Sequence, residues 1–471
     1  MSTVRQWLAG GVMWLSAWPL LAAPSTMVGT WQGTLKAGGI ELRLVVYVSQ
    51  TADGFAAKFD SPDQGAKDLP FDSATVADGT LTLTAKAGSA VYTGKLTEDG
   101  TQLKGTWKQA GQSFPLDLRR DDRVVALKRP QTPKAPFPYR STDVTFPSVA
   151  KDVRLAGTLT LPTGTGPFPA VILISGSGPQ DRDETLFEHK PFAVLADHLT
   201  RQGFAVLRYD DRGVGQSTGQ FSTARTPDFA DDARGAVQFL GQHEHIDGKK
   251  IGLIGHSEGG LIAPLVATQT DAVAFLVLLA GPGLPGHEVL FTQMQAVAKA
   301  SGTPSSAANT AAQRKLLDLA ISDLSDAELP AALRKVVQSA INDLSPEEKK
   351  AAGPAALKDA EENARALAAP WMRWFLRHDP RPVLQKVRVP VLALNGGTDV
   401  QVDATANLAA IATALKAGNH ARSRTVHLPG LNHLFQTSPT GAVSDYGKIE
   451  ETLAPALLTT LTDWLRERMR D

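Results

Sequence analysis

Two hydrophobic rhythms divide the chain. Between residues 27 and about 125, short runs alternate apolar and polar positions: VGTWQGTL, IELRLVVYVSQ, GFAAKFDS, GTLTLTAK, AVYTGKLTEDG, TQLKGTWKQ and SFPLDLRR. A period of two, rich in threonine and aromatics, is the pattern of strands with one face buried. Asp53-Gly54, Asp78-Gly79 and Asp99-Gly100 fall between runs, where hairpin turns need a positive φ. The spacing predicts a small antiparallel barrel or sandwich over residues 27–125.

A connector follows over 126–141, stiffened by Pro130, Pro133, Pro136 and Pro138. From residue 142 onward the rhythm changes. PAVILISG (169–176), FAVLRYD (204–210), KIGLIG (250–255), FLVLLAG (275–281), VPVLALNGG (389–397) and SRTVHLPG (423–430) are near-continuous apolar runs. Strands buried on both faces read this way, and helical segments such as 191–202 and 227–241 separate them. The alternation predicts an α/β domain with a mainly parallel sheet over 142–471. Between about 282 and 388 only helical patterns occur, which predicts a cap inserted over the C-terminal ends of the strands. Open α/β sheets place their sites there.

Composition narrows the partners. The 471 residues carry 48 Lys plus Arg against 48 Asp plus Glu, so no net charge draws the chain to nucleic acid. Cysteine is absent, which excludes disulfides, thiolate chemistry and a lipoprotein anchor. Residues 1–25 have the layout of a signal peptide: Arg5, an apolar Trp7–Leu21 interrupted by Pro19, then Ala22, Ala23 and Ser25. That stretch is too short for a spanning helix in the mature protein. The expectation is a periplasmic or secreted protein with no stable membrane insertion after cleavage.

One serine stands out. Gly255-His256-Ser257-Glu258-Gly259 lies between a strand pattern and a helix pattern, the context a nucleophile elbow requires. Glycines at 255 and 259 allow strand and helix to approach closely, and the turn aims backbone N–H groups at the place where an oxyanion would form. A serine hydroxyl is a poor nucleophile near neutral pH, so it needs a histidine base oriented by a carboxylate.

From residue 142 the chain resembles the α/β-hydrolase family. Three separated motifs carry the resemblance: the G-x-S-x-G at Ser257, YDDRGVGQS at 209–217, and ISGSGPQDRDE at 174–184. In the last, Ser175 stands where a histidine is more usual. The nearest likeness is to secreted bacterial serine esterases of the serine-aminopeptidase-like branch with an extra N-terminal β domain. That β domain resembles lipocalin-like barrels through Gly29-Thr30-Trp31, and a packed accessory role is the expectation for it.

The resemblance implies the order serine, acid, histidine. Only His420, His427 and His433 follow the strand at 389–397. His420 lies in a polar loop and His427 within a strand pattern, so His433, in the turn PGLNHLF, is the expected base. Asp399 follows VLALNGG and is the expected acid, whereas Asp403 opens a helix and reads as its N-cap. The expected oxyanion donors are the backbone N–H groups of Glu258 and Ser177. Trp371 and Trp374 in WMRWF are candidates to line a substrate pocket from the cap. His243 and His245 sit two apart at a helix end with no third ligand in view, so no metal is expected. Arg212 is expected to brace its own loop. The reading that follows is a serine hydrolase acting on small-molecule esters of short to medium acyl chain, with no cofactor. An aminopeptidase or amidase of the same fold and a non-catalytic periplasmic binding protein are the alternatives.

Overall fold

The computed structural model describes residues 27–470 except 38–39, 52–53, 63–65, 86–89, 110–111, 121–127, 303–304, 347–348, 350–359 and 421. The expected signal segment and the start of the connector lie outside the described residues. The chain divides into two compact units, with the main division between residues 124 and 125.

The first unit is antiparallel throughout. Its strands are β1 (Gly29–Ala37), β2 (Ile40–Thr51), β3 (Gly54–Ser61), β4 (Ala66–Pro70), β5 (Ser73–Ala77), β6 (Thr80–Ala85), β7 (Ala90–Leu96), β8 (Gln102–Gln109), β9 (Gln112–Pro115) and β10 (Leu118–Arg120). Eight of them close into a barrel in the order β10-β1-β2-β3-β5-β6-β7-β8, with β8 pairing back onto β10. Closure removes the free edges that an open sheet would present. The alternation seen in the sequence decides which side chains go inside: Leu81, Leu83 and Ala85 of β6 are buried while its threonines are half-buried. Trp31, Leu81, Leu83, Tyr92 and Leu103 fill the interior as a packed core. Two strands, β4 and β5, are additions to the sequence-based pattern. AKDLP is largely exposed and has no period of two, whereas SATVA alternates over only five residues, with Ala74 and Val76 turned to the core and no large residue among them. The run SFPLDLRR, expected as one strand, is split into β9 and β10 around Leu116 and Asp117.

The second unit is an eight-stranded sheet in the order β11-β12-β14-β13-β15-β16-β17-β18. The strands are β11 (Arg140–Pro147), β12 (Arg154–Leu161), β13 (Phe168–Ile174), β14 (Ala205–Tyr209), β15 (Ile246–His256), β16 (Phe275–Leu279), β17 (Val391–Gly396) and β18 (Arg424–Leu428). β12 pairs antiparallel with both β11 and β14, and every later pairing is parallel. The expected mainly parallel sheet with helices is therefore present, extended by an antiparallel pair at one edge. β11 is mostly exposed, as an edge strand is, and its polar run RSTDVTFP carries no continuous apolar signal.

Each central strand feeds two cores by alternation. Ala170, Ile172 and Ile174 of β13 pack on one face with Phe229, Ala233 and Val237 from helix Thr226–Gly241. Val171 and Leu173 pack on the other with Leu195 and Leu199 of helix Pro191–Arg201 and Leu461 and Trp464 of helix Pro455–Arg470. Burying one such leucine contributes about 1.5–3 kcal/mol, so the sheet is a firm platform for the loops at its ends.

Among the described residues between β16 and β17, all regular structure is helical. Helices Gly286–Ala300, Ala307–Ile321, Leu329–Asn342 and Pro370–Arg377 form this insertion, with Leu329, Leu333 and Val337 in a small core of their own. The stretch 357–379, helical by pattern, breaks before Pro370, which opens a new helix at a position that needs no N–H. No helix of the described residues is long and apolar enough to cross a membrane.

Candidate active site

β15 stops at His256 and the next helix starts at Gly259, so Ser257 and Glu258 make the whole turn. Ser257 has φ +51°, a left-handed conformation that costs a non-glycine residue about 1–3 kcal/mol. It is held there by its N–H donating to the Leu279 carbonyl at 2.8 Å and its carbonyl accepting from Gly260 N–H at 2.9 Å. The flanking glycines are sterically required. A Cβ on Gly255 would lie 2.0 Å from the Gly259 carbonyl oxygen, and one on Gly259 would lie 2.3 Å from that of Ile174.

His433 and Asp399 come from the loops after β18 and β17. The His433 loop is shaped by buried Asn432, whose Oδ1 accepts from the N–H groups of Leu434 (3.0 Å) and Gln436 (2.9 Å). Asp399 Oδ1 accepts from the N–H groups of Gln401 (2.7 Å) and Val402 (2.9 Å). That pins the carboxylate and leaves Oδ2 facing His433 Nδ1 at 2.8 Å. The pair is buried, so its hydrogen bond is shielded from competing water. His427 is an exposed residue of β18, and Asp403 caps its helix by accepting from Ala406 N–H at 2.7 Å.

Ser257, Glu258, Ser177, His433 and Trp371 line one cavity of about 270 Å³. Its apolar side is made by Leu186, Val289, Leu290, Met372, Phe375 and Leu434, the cap supplying most of it. Trp374 is placed elsewhere. It stacks on His378 with ring centroids 4.4 Å apart and lines a separate pocket with Arg225 and Arg377. On helix Pro370–Arg377 the cavity takes positions 371, 372 and 375, which share a face that excludes 374.

The structure adds groups that the sequence pattern did not single out. The Glu258 carboxylate is not solvated: it accepts from Thr226 Oγ1 and Trp371 Nε1, both at 2.7 Å, and from the Ser177 hydroxyl. Burial pushes its pKa up, and these three donors only partly offset the shift. Glu184, itself at φ +52°, accepts at Oε1 from Gly176 N–H (2.7 Å) and faces His256 Nδ1 at 2.9 Å. His256 Nε2 donates to the His433 carbonyl at 3.0 Å. Burial disfavours a charged His256, but the Glu184 charge and the two hydrogen bonds outweigh it and raise its pKa. A histidine directly before Ser257 was visible in the sequence; its partner seventy-two positions away was not.

Arg212 grips Asp232 with two hydrogen bonds (2.7 and 2.8 Å) and also reaches the Asp228 carbonyl, so it braces its own loop. His243 and His245 contact each other, and no cluster among the described residues could hold a metal ion. The N–H groups of Ser177 and Glu258 have no protein acceptor among the described residues. A hydroxyl, an imidazole oriented by a carboxylate, and N–H donors bordering one cavity are the components of acyl transfer.

Residues 188–437 match the Hydrolase_4 family, described as serine aminopeptidase, S33. Esterase EstD of Thermotoga maritima is 33% identical over 185 residues, 38% of this chain and 44% of that protein. Mitochondrial acyl-coenzyme A thioesterase 2 of Rattus norvegicus is 31% identical over 133 residues, 28% of this chain and 26% of that protein. The matched part thus spans less than half the length of either relative. Among solved structures, the α/β hydrolase GrgF from Penicillium sp. sh18 aligns at 18% identity and a TM-score of 0.43, covering 70% of this chain and all of that one. The family match takes in more than half of the 471 residues, from before the elbow to beyond His433, and the chain belongs to the serine aminopeptidase S33 family of α/β-hydrolases.

Proposed function

We propose that this protein is a serine hydrolase that cleaves carboxylic esters of short to medium acyl chain through an acyl-enzyme on Ser257. The observation that carries the reading is the shared cavity. A strained serine at an elbow and a histidine hydrogen-bonded to a buried, pinned carboxylate open onto the same 270 Å³ space.

In this reading Ser257 Oγ attacks the ester carbonyl while His433 Nε2 takes its proton. Asp399 Oδ2 holds the Nδ1–H tautomer and offsets the imidazolium charge. The N–H groups of Glu258 and Ser177 receive the oxyanion. His433 then returns the proton to the departing alcohol, and the same histidine activates water to release the acid. The cavity lies at the small end of ligand pockets, which run from roughly 300 to 1,000 Å³, and its walls are mostly apolar. Both features favour a compact acyl group. The esterase name of the Thermotoga relative supports the same class. Trp371 and Phe375, stacked on each other, form the aromatic wall of that pocket, and Trp374 is not among its lining residues.

An aminopeptidase would need carboxylates free to hold a substrate ammonium. Glu184 and Glu258 border the cavity, but the first is engaged by His256 and Gly176 and the second by Thr226, Trp371 and Ser177. Residues 1–25 support export to the periplasm or medium, which the N-terminal mass of the secreted protein would test.

The central test is fluorophosphonate labelling with mass mapping, alongside rates on p-nitrophenyl acetate, butyrate and octanoate and on an aminoacyl anilide. An adduct on Ser257 with turnover of the shorter esters is expected. Faster cleavage of the anilide would move the reading to a peptidase. Inertness of folded protein toward every probe would move it to a binding protein.

A further inference from the structure

The segment Ser175–Gln180, which follows β13 and supplies the Ser177 N–H, is tied at both ends to one buried side chain. Ser175 Oγ donates to Asp211 Oδ1 at 2.9 Å, and Gln180 N–H donates to Asp211 Oδ2 at 2.9 Å. Asp211 N–H donates back to the Gln180 carbonyl at 3.1 Å. Between these ends, Gly176 N–H donates to Glu184, and Gln180 Nε2 donates to the Ser177 carbonyl at 3.2 Å. The segment's polar backbone is thereby engaged around Ser177, leaving that residue's N–H directed to no protein acceptor among the described residues.

Asp211 is an expensive group to place there. It is 8% exposed, and the adjacent Arg212 turns to Asp232 instead. The charged neighbours acting on it, Glu258 and Asp232, are both acidic. Burial, reinforced by those two charges, pushes its pKa up to about 8 despite the Gln180 and Ser175 hydrogen bonds. A buried carboxylate without a cation is a net cost to folding, so its place needs another explanation.

We propose that Asp211 is a positioning residue for catalysis, stapling the two ends of the Ser175–Gln180 loop so that the Ser177 N–H meets the oxyanion. The proposal rests on the ester-hydrolase reading of Ser257. It also explains Ser175. Where the α/β-hydrolase resemblance implies histidine, this chain has a hydroxyl that donates to Asp211. Asp211 itself is the x of the Asp-x-Arg-Gly motif at residues 210–213.

The test uses the full chain with Asp211→Ala, Asp211→Asn, Ser175→Ala and the Ser175→Ala/Asp211→Ala double variant, each checked for folding by circular dichroism. Rates on p-nitrophenyl acetate are read beside the inhibition constant of a trifluoromethyl ketone, which forms a tetrahedral oxyanion on the serine. Asp211→Ala is expected to lower kcat about 10- to 100-fold with KM changed less than about threefold, and to weaken the ketone in proportion. Ser175→Ala should lose less, because Gln180 stays tied, and the double variant should be no worse than Asp211→Ala alone. Asp211→Asn keeps an acceptor for Ser175 but presents an NH₂ to the Gln180 N–H, or the reverse, so an intermediate loss is expected. It carries the test if the alanine variant fails to fold. A folded variant with wild-type kcat overturns the staple, and so does a loss in kcat with unchanged ketone affinity or losses that multiply in the double variant. Wild-type protein inert to both ester and ketone would instead overturn the hydrolase reading, and the staple's role with it.

Discussion

The two units bury polar groups very differently. Among the described residues of the barrel no charged side chain is buried: the interior is aromatic and aliphatic, and its polar groups are neutral, as in Ser61, the Tyr92 hydroxyl and the Trp31 indole N–H. The sheet unit buries Asp211, Arg212, Asp232, His256, Glu258, Asp399 and His433, nearly all at or behind the C-terminal ends of β13, β14, β15, β17 and β18. Buried charge is costly, and a fold tolerates it where orientation matters more than stability. The comparison therefore assigns the chemistry to the sheet unit and a packing role to the barrel interior.

The largest expected effect separates two histidines of the sheet unit. His433→Ala should lower kcat by roughly 10⁴-fold while the protein stays folded, because the imidazole oriented by Asp399 is the only base proposed for Ser257. His427→Ala, on the exposed side of β18, should stay within about threefold of wild type. Steady-state kinetics on p-nitrophenyl butyrate distinguish them. If the two variants exchanged behaviours, the base would be His427 and the burial argument would fail.

The second effect belongs to the barrel. Leu83 is fully buried in its core, so Leu83→Ala should cost about 2–5 kcal/mol of that unit's stability. Denaturant unfolding would read the loss, and kcat and KM should hold within about twofold. Esterase activity should likewise survive deletion of residues 27–125. A folded truncation without activity would show that the barrel shapes the site and that the contrast in buried charge misleads.

What the sequence revealed follows the range of each interaction. The elbow was legible because its glycines, strand and helix are contiguous, and steric demand writes itself into neighbouring residues. His433 and Asp399 were narrowed by chain order and by the loops they occupy. The Ser175–Asp211, Glu184–His256 and Glu258–Trp371 contacts span 36, 72 and 113 positions, and no local pattern encodes such partners. From sequence the Glu258 carboxylate reads equally as solvated or as touching another loop, because its partners Thr226, Ser177 and Trp371 lie 32, 81 and 113 positions away. Trp371 and Trp374 looked equivalent because the pattern gives a helix but not its rotation. The edge strand β11 and the barrel's β4 escaped because exposed strands need no apolar period, and β5 because its alternation runs over five small residues only.

The smallest expected effect turns the buried charge itself into a measurement. Asp211 has its folded pKa raised to about 8 against roughly 3.9 for an unfolded aspartate. Folding therefore takes up a proton between those values, and the stability tied to neutral Asp211 is full below about pH 4 and lost as pH rises toward 8. Asp211→Asn removes that titration while keeping the shape. Glu258 and Asp232, the acidic groups that raise Asp211, remain in the variant, and so does His256. The difference in Tm, variant minus wild type, should thus grow by roughly a few degrees from about pH 5 to about pH 8, because only the wild type has to take up a proton at this position in order to fold. A difference that stayed flat would mean that Asp211 is ionised throughout and stabilised by its two hydrogen bonds. A difference that shrank could not come from Asp211, whose unfolded form is already ionised above about pH 5, and would place the titration on another group of the sheet unit.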